Sequence, residues 1–251
     1  MGRWKFFHGR PDQMIVDTGE SEALPQGLYV VATPIGNLED ITLRAISVLR
    51  RVGRIACEDT RKVQTLLQRL EIRRPLLPYH EHNERQLAGQ LADAVAAGEA
   101  IALVTDAGTP AISDPGFRAV RECRRRGLPV IPIPGPCALT AALSASGLPS
   151  DSFLFLGFLP PRSMARRTVL RRHAAVSATV VIFESCHRIR QFLCEIVEEL
   201  GPKRIVASAR EMTKIHETWS IGTAEVVANA VATGCVRGEF VVLIAPPSFI
   251  Q

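Results

Sequence analysis

Nothing in these 251 residues stays apolar for the roughly 18 positions that a membrane-crossing helix needs. Residues 1–26 are broken by charges, Gly and Pro, so neither a leader nor an anchor is expected there, and a poorly ordered extension is expected over 1–27. Two phosphate-binding fingerprints are missing as well. No G-x-G-x-x-G follows the first apolar run, and no G-x-x-x-x-G-K followed by Ser or Thr occurs anywhere, which argues against NAD enzymes and P-loop NTPases. The six cysteines, Cys57, Cys123, Cys137, Cys186, Cys194 and Cys235, include no pair at zinc-ligand or redox spacing. Free thiols in a reducing cytoplasm are expected, with no structural metal; His80 and His82 in one mixed loop are too weak a ligand signal to change that. Internal repeats and low-complexity tracts are absent.

What is present is the make-up of an ordinary globular chain, 47% hydrophobic and 22% charged, long enough for two modest domains. The net charge of +5 suits a polyanionic partner, and equally an unspecialised basic surface. From Leu28 onward, apolar runs of strand length alternate with segments of helical period, the pattern of an α/β fold with a largely parallel first sheet. Strands are expected at 28–33, 54–58, 100–105 and 130–133. Asp40, Asn83 and Asp114 are placed to cap the intervening helices, Asp114 ahead of Pro115. The run Gly147-Leu148-Pro149-Ser150-Asp151 marks a boundary between domains over 28–148 and 149–251. In the second, strands are expected at 153–159, 179–184, 204–209, 217–221 and 239–245, with antiparallel pairing near the end to make a mixed sheet.

Three Gly- and Pro-rich loops follow predicted strand ends: Thr33-Pro34-Ile35-Gly36-Asn37, Thr105-Asp106-Ala107-Gly108-Thr109-Pro110 and Pro134-Gly135-Pro136-Cys137-Ala138. In open α/β sheets ligands sit at the carboxyl ends of strands, so these loops are expected to line one cleft. A ligand with an adenine, ribose hydroxyls and an amino-acid tail fits such loops without phosphate machinery, as S-adenosylmethionine would. Asp106 is placed for a ribose or amino group, although an Asx turn explains it too. Polar clusters close other strands: Glu58-Asp59-Thr60-Arg61, His80-Glu81-His82-Asn83, Glu184-Ser185-Cys186-His187-Arg188 and Ala209-Arg210-Glu211-Met212-Thr213-Lys214. Arg162, Arg166, Arg167, Arg171 and Arg172 recur at helical spacing, a stripe suited to a phosphate backbone or to a solvated helix face.

In order along the chain, Ala32-Thr33-Pro34-Ile35-Gly36-Asn37-Leu38, Glu58-Asp59-Thr60-Arg61, His82-Asn83-Glu84, Asp106-Ala107-Gly108-Thr109-Pro110, Asp114-Pro115-Gly116, Pro134-Gly135-Pro136-Cys137-Ala138, Glu184-Ser185 with His187-Arg188, Ala209-Arg210-Glu211 with Thr213-Lys214, and Gly238-Glu239 resemble the tetrapyrrole methylase superfamily, in its ribosomal RNA small subunit methyltransferase I branch. The resemblance implies two α/β domains with S-adenosylmethionine in the cleft between them, a homodimer, and 2′-O-methylation of a cytidine in the decoding centre of 16S rRNA. It also implies that Pro34, Asp106, Ala107, Gly108, Pro136, Cys137 and Ala138 bind the cofactor. The family carries a further helical segment beyond the strand ending near Ala245, which these residues do not include. Glu184 and Glu211 are the candidate general bases, with Lys214 alongside them in the catalytic set. Arg61, Arg166, Arg167, Arg188 and Arg210 are the candidate RNA contacts. Two other readings stay open: a carbon methyltransferase of tetrapyrroles, and a non-catalytic RNA-binding module that keeps a relic cofactor pocket.

Overall fold

The computed structural model describes residues 23–250. Most of the extension expected over 1–27 lies outside the described residues. Its last few are held in place, because Leu24 packs against the first core and the Tyr29 hydroxyl donates to the Pro25 carbonyl at 2.8 Å.

The first half of the chain alternates strand and helix: β1 (Gly27–Val31), α1 (Leu43–Arg51), β2 (Arg54–Cys57), α2 (Thr60–Arg69), β3 (Leu76–Pro78), α3 (Glu84–Ala96), β4 (Ala100–Leu103), α4 (Phe117–Arg125), β5 (Val130–Ile133) and α5 (Ala138–Ala145). Its strands form one parallel sheet in the order β3-β2-β4-β1-β5. Apolar residues on both faces of the strands demand cover on both sides. Tyr29, Val31, Ile55, Cys57 and Ala102 pack under Val48, Leu49, Val63 and Leu67 of α1 and α2. Leu28, Ala56, Ile101 and Leu103 pack under Leu91, Val95, Ala119 and Cys123 of α3 and α4.

Several local expectations shift. Thr42, not Asp40, caps α1 by accepting the Ala45 N–H at 3.1 Å. Asn83 precedes α3 but turns its oxygen to the His80 N–H instead. The helix after Asp114-Pro115 starts only at Phe117, following Gly116 at φ 138°. β3, expected to be a Pro-marked connection, pairs with β2 at the sheet edge, where proline's missing N–H is tolerated.

The second half runs β6 (Phe153–Phe158), α6 (Ser163–His173), β7 (Thr179–Ser185), α7 (Ile189–Leu200), β8 (Ile205–Arg210), β9 (Thr218–Thr223), α8 (Ala224–Thr233) and β10 (Glu239–Ile244). Its sheet order is β6-β7-β10-β8-β9. β6 and β7 are parallel, whereas β10 lies antiparallel between β7 and β8, and β9 closes antiparallel on β8. One face is covered by α6, α7 and α8 through Leu170, Phe192, Ile196 and Val227. The other receives α5, whose Leu139, Ala142 and Leu143 pack on Val181, Ala207, Val241 and Leu243. That contact fastens the first half to the second. Among the described residues, no helix is long and apolar enough to cross a membrane.

One expected RNA contact is overturned here. Arg166 is 1% exposed and forms a two-pronged pair with the buried Glu195, at 2.7 and 2.9 Å, while donating to the Pro161 carbonyl at 2.7 Å. Burial of a guanidinium requires this complete set of acceptors, so Arg166 ties α6 to α7 and is not available to a phosphate. Glu195→Ala strands a buried cation and is expected to lower stability by about 3–5 kcal/mol. Arg166→Met with Glu195→Leu should recover most of that loss. Urea denaturation of the two variants checks both statements.

Candidate functional site

Because β4, β1 and β5 are neighbours in the sheet, the loops leaving their carboxyl ends emerge side by side. They then lock together through the backbone. Thr33 and Gly108 exchange N–H···O bonds at 2.9 and 3.0 Å, an isolated antiparallel bridge between the first and second loops. The buried Thr33 hydroxyl donates to the Thr105 carbonyl at 3.2 Å, and the Thr109 hydroxyl donates to the Pro136 carbonyl at 3.0 Å, adding the third loop. All seven expected cofactor residues, Pro34, Asp106, Ala107, Gly108, Pro136, Cys137 and Ala138, lie on these loops or at the start of α5. No side chain caps the amino end of α5, so the amides of its first turn remain available to an acceptor.

Beside the loops lies a group of carboxylates. Asp106 accepts the Asp59 N–H at 2.9 Å and pairs with Lys62 at 2.7 Å. The buried Thr105 hydroxyl approaches Glu58 at 3.5 Å and also reaches Asp114. Burial, followed by the Asp106 charge, raises the Glu58 pKa. Asp114 is pushed up to about 6 by burial, with the charges of Glu58, Asp106 and Glu239 adding to it and the Thr105 hydrogen bond opposing. Burial and the nearby Asp106 and Asp59 charges push the Cys57 thiol up to about 12, so it stays protonated. An acidic floor of this kind repels phosphate and favours a ligand that carries hydroxyls and positive charge. Uncapped helix amides can take a carboxylate at the same time. The side chains and amides present therefore suit S-adenosylmethionine, with its ribose, ammonium, sulfonium and carboxylate groups. No group of three or more His, Cys, Asp or Glu among the described residues is arranged to hold a metal ion.

The second sheet contributes the ends of β7 and β8 and the start of β10, which meet at one edge because Glu184 and Arg210 both register with Phe240. Glu211, at φ 53°, accepts Lys214 at 2.7 Å and the Glu239 N–H at 3.0 Å. Lys214 also bonds Glu239 at 2.8 Å. Burial works to raise the Glu211 pKa, but hydrogen bonds from Lys214 and the Glu239 amide, with the Lys214 and Arg210 charges, bring it below the ordinary value. Burial likewise opposes the Lys214 charge, and its bonds to Glu211 and Glu239 outweigh that and raise its pKa. Two glycines make the arrangement possible. A Cβ on Gly238, at φ 101°, would overlap the Glu211 carboxyl, and one on Gly36 would overlap the Lys214 chain. Lys214 thus lies directly against the loop after β1.

Other expected residues stand apart from this constellation. Glu184 is 1% exposed and accepts from Arg188 at 2.7 Å and from the Ser185 N–H at 2.7 Å, which fixes the Arg188 guanidinium beside it. Arg167 is neutralised by Glu198 and Glu199. Arg210 is spent on Thr218 and the carbonyls of His216 and Arg237. Arg61 is exposed and pairs with Asp59 at 2.9 Å. Asp114 and Glu239 were missing from the sequence-derived set. Asp114-Pro115 imitates a helix start, and only Gly116 behind it signals that the helix begins later. Glu239 enters through strand pairing, and its signal in the sequence is the family-like pair Gly238-Glu239.

A family model described as Tetrapyrrole (Corrin/Porphyrin) Methylases matches residues 27–228. Among curated relatives, a protein of Mesorhizobium japonicum named Ribosomal RNA small subunit methyltransferase I is 49% identical over 224 residues, 89% of this chain and 76% of its own length. Its namesake in Xylella fastidiosa is 48% identical, over 88% of this chain and 81% of that one. Among solved structures, a diphthine synthase superposes with a TM-score of 0.66 at 15% identity, covering 87% of this chain and 89% of that one. A uroporphyrin-III C-methyl transferase from Thermus thermophilus, complexed with S-adenyl homocysteine, superposes with a TM-score of 0.58 at 21% identity, covering 87% and 97%. At such identities these structures speak for the fold alone.

The Asp114 carboxyl generates a test. Its folded pKa, about 6, lies above the unfolded 3.8, so its contribution to stability is whole below 3.8 and is lost as pH rises through 6. Asp114→Asn should therefore be more stable than the parent at pH 7.5, by on the order of 2 kcal/mol. The advantage should vanish at pH 4. Urea midpoints at both pH values give the comparison.

Proposed function

The chain belongs to the tetrapyrrole methylase family, and on that premise we propose that it methylates RNA of the small ribosomal subunit, with S-adenosylmethionine as methyl donor. The target is the ribose 2′-hydroxyl of a cytidine in the decoding centre of 16S rRNA, and the enzyme works as a cytoplasmic homodimer. The observation that carries this reading is the acidic floor beside the three interlocked loops, which favours a cationic, hydroxyl-bearing ligand over a nucleotide phosphate. The high identity to relatives named for ribosomal RNA methylation supports the substrate.

The bound donor supplies an electrophilic methyl group. Pro34, Ala107, Gly108, Pro136, Cys137 and Ala138 form its cradle, and Asp106 meets its ribose or amino group. The two halves, 28–148 and 149–251, hold donor and acceptor in line, an alignment worth roughly 7–11 kcal/mol. Glu211, which sits across from the loop after β1, accepts the hydroxyl proton, a contribution of about 10² to 10⁴ in rate. Lys214 stabilises negative charge developing on the ribose oxygen. Glu184 acts one step removed, by orienting Arg188 toward the RNA.

Purified protein incubated with labelled S-adenosylmethionine and unmodified small subunits should place label on one ribose, mapped by nuclease digestion and mass spectrometry. Label on a tetrapyrrole precursor instead would move the chain to the carbon-methylating branch. Lys214→Ala is expected to cut turnover about 10²-fold while cofactor affinity holds, and Glu184→Gln to lower it less. Near-normal turnover in both would remove these roles.

A further inference from the structure

Three of the five arginines that look most like an RNA stripe in the sequence are neutralised in the fold. Arg166, Arg167 and Arg171 face Glu195, Glu198 and Glu199, and Arg125 and Arg126 at the end of α4 face Glu122 and Asp93. Positive charge also gathers elsewhere, along α1 and where α1 and α2 end. Arg50 donates to the Leu70 carbonyl at 3.3 Å, and Arg74 donates to the Arg50 carbonyl, so the two helix ends are stitched together. Arg69 ends α2, Arg73 adjoins Arg74, and the charges of Arg44 and Arg51 both reach the Tyr29 hydroxyl. Arg51 has a partner of its own; the other five arginines of residues 44–53 and 66–75 share those stretches with a single acid, Glu71.

Arg44, Arg50, Arg69, Arg73 and Arg74 are exposed. A favourable interaction with the negative ends of α1 and α2 accounts for Arg50 and Arg69 in part. It does not account for Arg73, which lies beyond both helices. Arg44, Arg69 and Arg73 form no side-chain hydrogen bond or ion pair among the described residues. Because the helices run antiparallel to their strands, the face formed by Arg50, Arg69, Arg73 and Arg74 lies at the opposite edge of the sheet from the cleft. Helices of nine and ten residues put it about 15 Å away.

We propose that this arginine face docks the phosphate backbone of a folded RNA, one large enough to fill the cleft at the same time. The proposal rests on the RNA reading above and deepens it: the substrate is recognised as a three-dimensional RNA, with phosphates held at a distance from the methylated nucleotide. A short single strand in the cleft would not reach the patch.

Arg69→Glu with Arg73→Glu tests this against Arg172→Glu with Lys203→Glu, an equal charge change at exposed positions in the second half of the chain. Binding to 16S rRNA is measured as a function of salt, separately from methyl transfer. The patch variant should bind folded rRNA at least about tenfold more weakly at 0.1 M salt, with a salt slope shallower by about 1.4–1.8 for two lost phosphate contacts. Its turnover on a short oligonucleotide spanning the target, and its thermal midpoint, should match the parent. Equal losses from both pairs, an unchanged slope in the patch variant, or affinity for phosphatidylserine vesicles without affinity for RNA would overturn the proposal. RNA binding without methyl transfer by the parent would instead overturn the proposed activity and leave the docking surface standing.

Discussion

Two backbone hydrogen bonds between Thr33 and Gly108 set the geometry on which the cofactor side of the cleft depends. Strands β1 and β4 pair in parallel, whereas this bridge is antiparallel, so beyond the strand ends one of the two loops has turned back against the other. The loops after these strands are thereby fastened to each other, with little freedom to lose when a ligand arrives. Thr109 brings the third loop into the same unit through the Pro136 carbonyl. Carboxylates then cluster at strand ends whose positions are already decided, and the crowding that raises Glu58 and Asp114 follows from that placement. Mutual repulsion among these acids is tolerated because a rigid backbone holds them and because Lys62 compensates Asp106.

The opposing side is built on different terms. Glu211, Lys214 and Glu239 come from a loop and a strand that meet only because β10 lies beside β8. Glu211 sits at a positive φ and fills the space that a side chain at position 238 would need. Strained backbone supported on several sides is a common property of sites that must present a charge in one orientation. α5 couples the two sides, since it begins at the third loop and packs its apolar face on the second sheet.

Much of this was legible in the chain before any coordinates. The alternation of apolar runs and helical periods located nine of the ten strands, and three loops rich in Gly and Pro pointed to the cleft. β3 was missed because Pro75 and Pro78 frame only two leucines, a run too short for periodicity to register. α8 was passed over because its run of alanines and valines has little contrast between faces. Arg166 misled for a different reason. Helical spacing shows that arginines share a face, but not that glutamates of α7 wait opposite it. Asp114 and Glu239 show the same limit, since their chemistry arises from neighbours distant in sequence.

The position of β10 bears on how such a chain comes to be active at all. Every other strand of the second sheet precedes it, yet it occupies the middle of the order, flanked by β7 and β8. Before it arrives, those two strands have open edges facing an empty slot, and both Glu239 and the amide that anchors Glu211 are missing. Assembly of the second sheet therefore cannot proceed strand by strand as the chain lengthens. It resembles closing an arch with its keystone: the halves wait unsupported, and the Glu211–Lys214 charge pair takes its working position only when the last piece drops in.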